Sequence, residues 1–131
     1  MTQEDKNLLL QDLCGRLPYD IKIKEEYGDC INVNFHNANI EHLIDRVVSG
    51  LDKMVLRPMS SMTEEERKEY NDLYYQVPIQ RSDGNAYRDT KMVEALHIDW
   101  LNEKMFDFRG LIKKGLAIEV TPENNPYDIL I

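Results

Sequence analysis

Arg57, Ser60, Ser61 and Thr63 fall within one stretch, LRPMSSMTEEE (56–66), that ends in three acids. An arginine beside hydroxyls at a helix start is raw material for a phosphate grip, and adjacent serines are raw material for a nucleophile. A helix N-terminus attracts anions because its free N–H groups and dipole carry about half a positive charge. Glu64, Glu65 and Glu66 already supply negative charge there, and no glycine lets the backbone approach a ligand closely. Ser60 and Ser61 lack the glycine-flanked turn of a nucleophile elbow and the Ser-x-x-Lys spacing. Thr63 and Glu66 instead stand in capping-box positions, where each side chain satisfies the other's orphan N–H. The stretch is read as the start of a helix.

The histidines are His36, His42 and His97. On a helix His42 and Asp45 face the same way, with His36 or Glu41 within reach of a shared metal. Catalytic zinc takes three protein ligands with an oriented second shell, and no HExxH frame is present, so the pattern is read as solvated surface. A thiol nucleophile needs a base and an electropositive setting. Cys30 with His36 is the pairing to consider, but Cys14 beside the first apolar stripe and Cys30 at a strand start both read as small core hydrophobes. No catalytic, cofactor or metal residue is assigned.

The densest aromatic segment is WLNEKMFDFRGLI (100–112). Trp100, Phe106 and Phe108 with Leu111 and Ile112 make a large apolar payload for a core corner, in which Asp107 and Arg109 meet carbonyls or each other. The alternative is a partner surface on Trp100, Phe106 and Arg109, because tryptophan and arginine are enriched at binding hot spots. The core reading is preferred because the chain has few other large residues to build one.

Elements must position these groups. Thr2 caps a helix, with Asp5 in the capping-box position; Leu9, Leu10, Leu13 and Leu17 follow, and Gly15 and Pro18 close it. YDIKIK and DCINVNF alternate as a hairpin, with Ile21 and Ile23 on one face and Ile31, Val33 and Phe35 on another. Ile40, Leu43, Ile44 and Val47 mark a helix ended by Gly50, and DKMVLRP is a short strand stopped by Pro58. Residues 63–77 form the clearest helix, through Tyr70, Leu73, Tyr74 and Val77. QRSDGNAYRD is a polar turn or exposed loop on Asp83-Gly84, and residues 92–105 are a helix through Val93, Leu96, Trp100 and Leu101. RGLIKKG is a short helical turn ended by Gly115, LAIEV a strand, and TPENNPYDILI a tail that opens in turn chemistry and ends apolar. Helices and antiparallel-looking strands without strict βαβ alternation predict a single small α+β domain with an N-terminal helix, a β-hairpin or small antiparallel sheet, and two or three further helices.

A chain of 131 residues is one domain by length and can bury a core without staples. Sixteen basic against 24 acidic residues give a net charge of −8, which disfavours nucleic acid and anionic membrane. Direct nucleic-acid binding would need Arg81, Arg88 and Lys91 to join Arg109, Lys113 and Lys114 on one face; the acidity also suits a mimic of nucleic acid. The N-terminus lacks a signal-peptide pattern and no apolar run reaches the roughly 20 residues of a membrane span, so a cytoplasmic location with both thiols free is expected.

The segments LLLQDLCGRLPY, LRPMSSMTEEE, DWLNEKMFDFRGLI and KGLAIE together resemble a family of small uncharacterised proteins of anaerobic gut bacteria and their phages or mobile elements. The likeness covers both ends and the SSMTEEE centre, and is weaker over 36–53 and 78–95. The family pattern has two histidines where this chain has Lys104 and Met105, and a tyrosine where it has Phe108, so no shared metal or catalytic site is implied. The resemblance implies a cytoplasmic protein of mobile-element origin and carries no activity. The expectation is a non-catalytic accessory protein that binds another protein. The alternatives are a small hydrolase or transferase using Cys30, His36 or His42, and nucleic-acid binding or mimicry. An enzyme should bring at least two of those three residues into one cleft.

Overall fold

The computed structural model describes residues 1–37 and 39–121, so the tail from Pro122 onward lies outside the described residues. Its sheet is organised around β3 (Lys53–Pro58), which buries Met54, Val55, Leu56 and Arg57 in succession. A strand buried on both faces needs neighbours along its edges and cover above and below. β1 (Ile21–Lys24) pairs antiparallel with β2 (Cys30–Val33) and with β3, while β6 (Phe106–Asp107) and β7 (Ala117–Glu119) run parallel to β3. The five-stranded sheet is therefore mixed, where the sequence suggested a hairpin or small antiparallel sheet. Connectivity explains the difference. A parallel return needs a crossover of about a dozen residues or more, and the segment between β3 and β6 supplies two helices and a hairpin.

α1 (Gln3–Arg16) carries the expected Thr2–Asp5 capping box and buries Leu9 and Leu13, with Leu17 in the turn beyond. Leu10, about 100° further round the helix, faces solvent. The helix runs through Gly15 instead of stopping there. Gly15 faces α4, where a β-carbon would sit 3.0 Å from the Asn102 amide nitrogen, so it serves close approach of two helices. In the β1–β2 hairpin Ile21, Ile23 and Val33 are buried, whereas Ile31 on the edge strand and Phe35 in the turn after it, expected to share the covered face, are exposed. α2 (Ile40–Val48) is capped by Asn39 and buries Leu43 and Val47.

α3 (Glu64–Asp72) has the Thr63–Glu66 capping box but ends earlier than its apolar pattern predicts. Leu73–Gln76 tightens into a 3-10 turn that buries Leu73 and leaves Tyr74 outside. α4 (Thr90–Glu103), capped by Asp89, stops at Lys104 because Met105 takes a left-handed conformation at φ 62° and turns the chain into β6. Between α3 and α4 the polar segment is a hairpin and not only a loop. β4 (Ile79–Ser82) and β5 (Asn85–Arg88) are joined by Asp83 and Gly84, both at positive φ, as a two-residue type I′ turn requires. Asp107 closes the RGLIKKG turn by accepting the Leu111 and Ile112 N–H groups at 2.9 and 3.0 Å.

Candidate functional site

Arg57 and the aromatic segment around Trp100 converge on β6, and they do so from the inside. Arg57 on β3 grips both oxygens of Glu66 on α3 at 2.8 and 2.7 Å. Its guanidinium also lies over the Phe106 ring, 4.1 Å from the centroid. Glu66 therefore acts twice, accepting the Thr63 N–H to close the capping box and neutralising a buried arginine. The Arg57 hydrogen bonds hold its carboxyl below the ordinary range against the opposing effect of burial. Ser61 Oγ donates to the Pro58 carbonyl at 2.7 Å. The arginine of LRPMSSMTEEE is thus committed inside the protein, as is one of its two serines.

Phe106 continues the stack. Trp100 lies nearly parallel to it at 5.7 Å and donates its indole N–H to Glu69 at 2.9 Å. Tyr70 packs beside both Trp100 and His97, and His97 Nε2 lies 3.0 Å from the Tyr70 carbonyl oxygen. On the other side Arg16, fully buried, holds Asp12 at 2.7 and 3.0 Å and donates to the Phe106 carbonyl at 2.7 Å. Arg109 reaches the same Asp12 at 2.8 Å and stacks on Phe108. Both Asp12 oxygens are taken, so two cations and one anion form a closed structural unit. Around Phe106 and α4, Arg16 Nη1, Arg57 Nε and Asn102 Oδ1 are buried without a hydrogen-bond partner among the described residues.

This arrangement is the core corner preferred from the sequence, and it leaves little of the alternative, a partner surface on Trp100, Phe106 and Arg109, open to solvent. Trp100 is 5% exposed and Phe106 0%, and Arg109 is held by Asp12. Packing wins because these rings are the largest apolar bodies available between α3, α4 and the sheet.

The residues of the enzyme alternative are not assembled. A cavity of about 230 Å³ opens between β2 and α2, over Ile31, Val33 and Leu43, and His42 lines it without His36 or Cys30. On its wall Arg46 grips Asp52 at 2.8 and 3.1 Å, and that contact holds the Asp52 carboxyl below its ordinary range. His36 is exposed in the turn after β2, where its N–H bonds the Asn34 side chain. The cysteines are free, but neither is the core hydrophobe expected: Cys14 is exposed and Cys30 half-buried. Among the described residues no three His, Cys, Asp or Glu side chains converge on a metal position.

The basic residues required for a nucleic-acid face are divided. Arg88 and Lys91 flank the start of α4 while Arg109, Lys113 and Lys114 follow its end, a helix length of about 20 Å away at 1.5 Å per residue. Arg109 is already paired, and Lys114 lies 4.0 Å from Asp5.

An exposed aromatic patch lies elsewhere. Tyr75 is 70% exposed, Ile79 51% and Tyr87 48%, with Tyr74 beside them. Arg88 fixes this patch, lying 4.7 and 5.3 Å from the Tyr74 and Tyr75 ring centroids and donating Nε–H to the Val77 carbonyl at 3.0 Å. Sequence reasoning missed it. The signal was the Asp-Gly pair, a strong hairpin marker, preceded by two adjacent tyrosines just past a helix. No helix among the described residues is long and apolar enough to cross a membrane. Comparison of the chain with protein-family models, curated proteins and solved structures finds no match.

Proposed function

We propose that the chain is a non-catalytic cytoplasmic accessory protein that binds another protein through the surface formed by Tyr74, Tyr75, Ile79, Tyr87 and Arg88. One observation carries this reading: four exposed large side chains, Tyr74, Tyr75, Ile79 and Tyr87, gather around Arg88 at the β4–β5 hairpin and its base, where Arg88 holds two tyrosine rings in place. Tyrosine and arginine dominate binding hot spots because they offer rigid, amphipathic area at low entropic cost. Of Cys30, His36 and His42, only His42 lines the cavity, and the Arg46 and Asp52 side chains on its wall are paired with each other. A mobile-element origin, suggested by the family resemblance, is part of the same proposal and directs the search to anaerobic gut bacteria carrying such elements. The test is quantitative affinity capture from such an extract with the wild-type chain and Tyr75→Ser/Tyr87→Ser. A specific partner recovered by the first and lost by the second, at equal unfolding midpoints, is expected. A partner retained by the double variant would remove this surface from the account.

A further inference from the structure

The β4–β5 hairpin is a sheet of two strands whose residues are almost all exposed, and among the described residues it joins no other strand. A two-stranded ribbon of this kind is marginally stable in water; a third strand or a covering layer completes it. Its two outer edges carry backbone N–H and C=O groups with no backbone partner among the described residues. Cross-strand register puts Ile79 and Arg81 on one face with Ala86 and Arg88, and Gln80 with Tyr87 on the other. An added strand would therefore meet an isoleucine and two arginines on one side and a tyrosine on the opposite side.

Charge selects among the occupants. Arg81 on β4 and Lys91, at the start of α4 three residues beyond β5, make no ion pair with an acid among the described residues, although the net charge of the chain is −8. A second copy would set like cations along the shared edge, which is unfavourable at contact distance. Nucleic acid carries one charge per roughly 1.7 Å of duplex, and the acidic remainder of the surface opposes it. A segment with one or two isolated carboxylates meets Arg81 and Lys91 locally, while repulsion beyond about 8 Å is screened at physiological salt. An arginine on the edge also discourages indiscriminate strand pairing and favours strands that bring an acid.

We infer that the hairpin recognises an extended, carboxylate-bearing segment of a partner protein by strand addition, with backbone pairing along β4 or β5 and Arg81 and Lys91 taking its acids. This rests on the hairpin surface being the binding surface and adds the chemistry of what it binds.

The probe is a labelled octapeptide alternating valine and glutamate, read by fluorescence anisotropy and by amide shifts of the ¹⁵N-labelled chain. Binding is expected, with shifts concentrated on residues 79–91. Arg81→Glu should weaken it at least tenfold at an unchanged unfolding midpoint, and N-methylation of alternate peptide amides should abolish it. Equal binding of a valine–lysine peptide, undiminished binding after N-methylation, or shifts centred outside the hairpin would overturn the inference. Tighter binding of an octathymidylate would replace the partner class by nucleic acid, and self-association lost in Arg81→Glu would replace it by a second copy. If capture depends on Tyr75 and Tyr87 yet the peptide fails to bind, the surface stands and strand addition falls. If neither holds, both fall.

Discussion

Arg57 and Glu66 meet through two hydrogen bonds of 2.8 and 2.7 Å across the join between β3 and α3, and the same carboxylate caps the helix it belongs to. One contact thus fixes the central strand, the helix start and the cover over Phe106. Arg57→Ala should cost about 3 kcal/mol, the low end for breaking a buried pair, because Glu66 keeps some contact with water. Arg57→Lys should cost much of the same, since an ammonium can neither fork onto the carboxylate nor stack on the ring. Urea denaturation measures both, and a loss below about 1 kcal/mol in Arg57→Ala, the level of a surface pair, would contradict the role given to this contact.

Acid sensitivity follows from Glu66 and Asp52, whose carboxyls are held below the ordinary range first by hydrogen bonds from Arg57 and Arg46. A carboxyl whose folded pKa is depressed contributes stability that is complete above its unfolded value, about 4 to 4.5, and is lost as pH falls through the folded value. Unfolding free energy measured from pH 7 to pH 3 should therefore drop below about pH 5. The drop should be shallower in Glu66→Gln/Asp52→Asn. An identical slope in that variant would assign the acid response to other groups.

Trp100 reports on the aromatic stack. Buried against Phe106 and Tyr70, it should emit at short wavelength and resist iodide quenching. Trp100→Ala should lose about 3 to 5 kcal/mol, as other buried aromatic truncations do. Red-shifted emission with near-normal stability would place the ring outside the core.

The hydroxyls of SSMTEEE should separate by their contacts. Thr63→Ala removes a cap and should cost about 0.5 to 2 kcal/mol. Ser61→Ala loses the bond to the Pro58 carbonyl, worth about 0.5 to 1.5 kcal/mol. Ser60→Ala, at an exposed site, should stay within about 0.5 kcal/mol of the wild type. Equal losses at all three, or labelling of either serine by a fluorophosphonate, would reverse the structural reading of this stretch.

What the sequence made legible was local. Thr2 with Asp5 and Thr63 with Glu66 announce helix starts by chemistry confined to four residues, and Leu9, Leu13 and Leu17 announce a buried stripe by spacing. What it hid was set by distance or by backbone conformation. Arg109 meets Asp12 across 97 positions, and no spacing rule connects them. β6 is two residues long and exists because β3 lies beside it. Gly15 looks like a helix stop and is a contact point for Asn102, while Met105 occupies a left-handed turn usually left to glycine. The hairpin escaped because IQRS and NAYR lack the apolar alternation that marks half-buried strands. The same lack of a buried face leaves Tyr87 exposed.

Hydroxyl-radical footprinting of the chain in buffer and in an extract of source cells tests the central claim most directly, because tyrosines report their own exposure. Protection in the extract at Tyr74, Tyr75 and Tyr87, with Tyr27 beyond the hairpin unchanged, is the result this account predicts. Protection confined to the β2–α2 cavity around His42, or none at the three tyrosines, would contradict it.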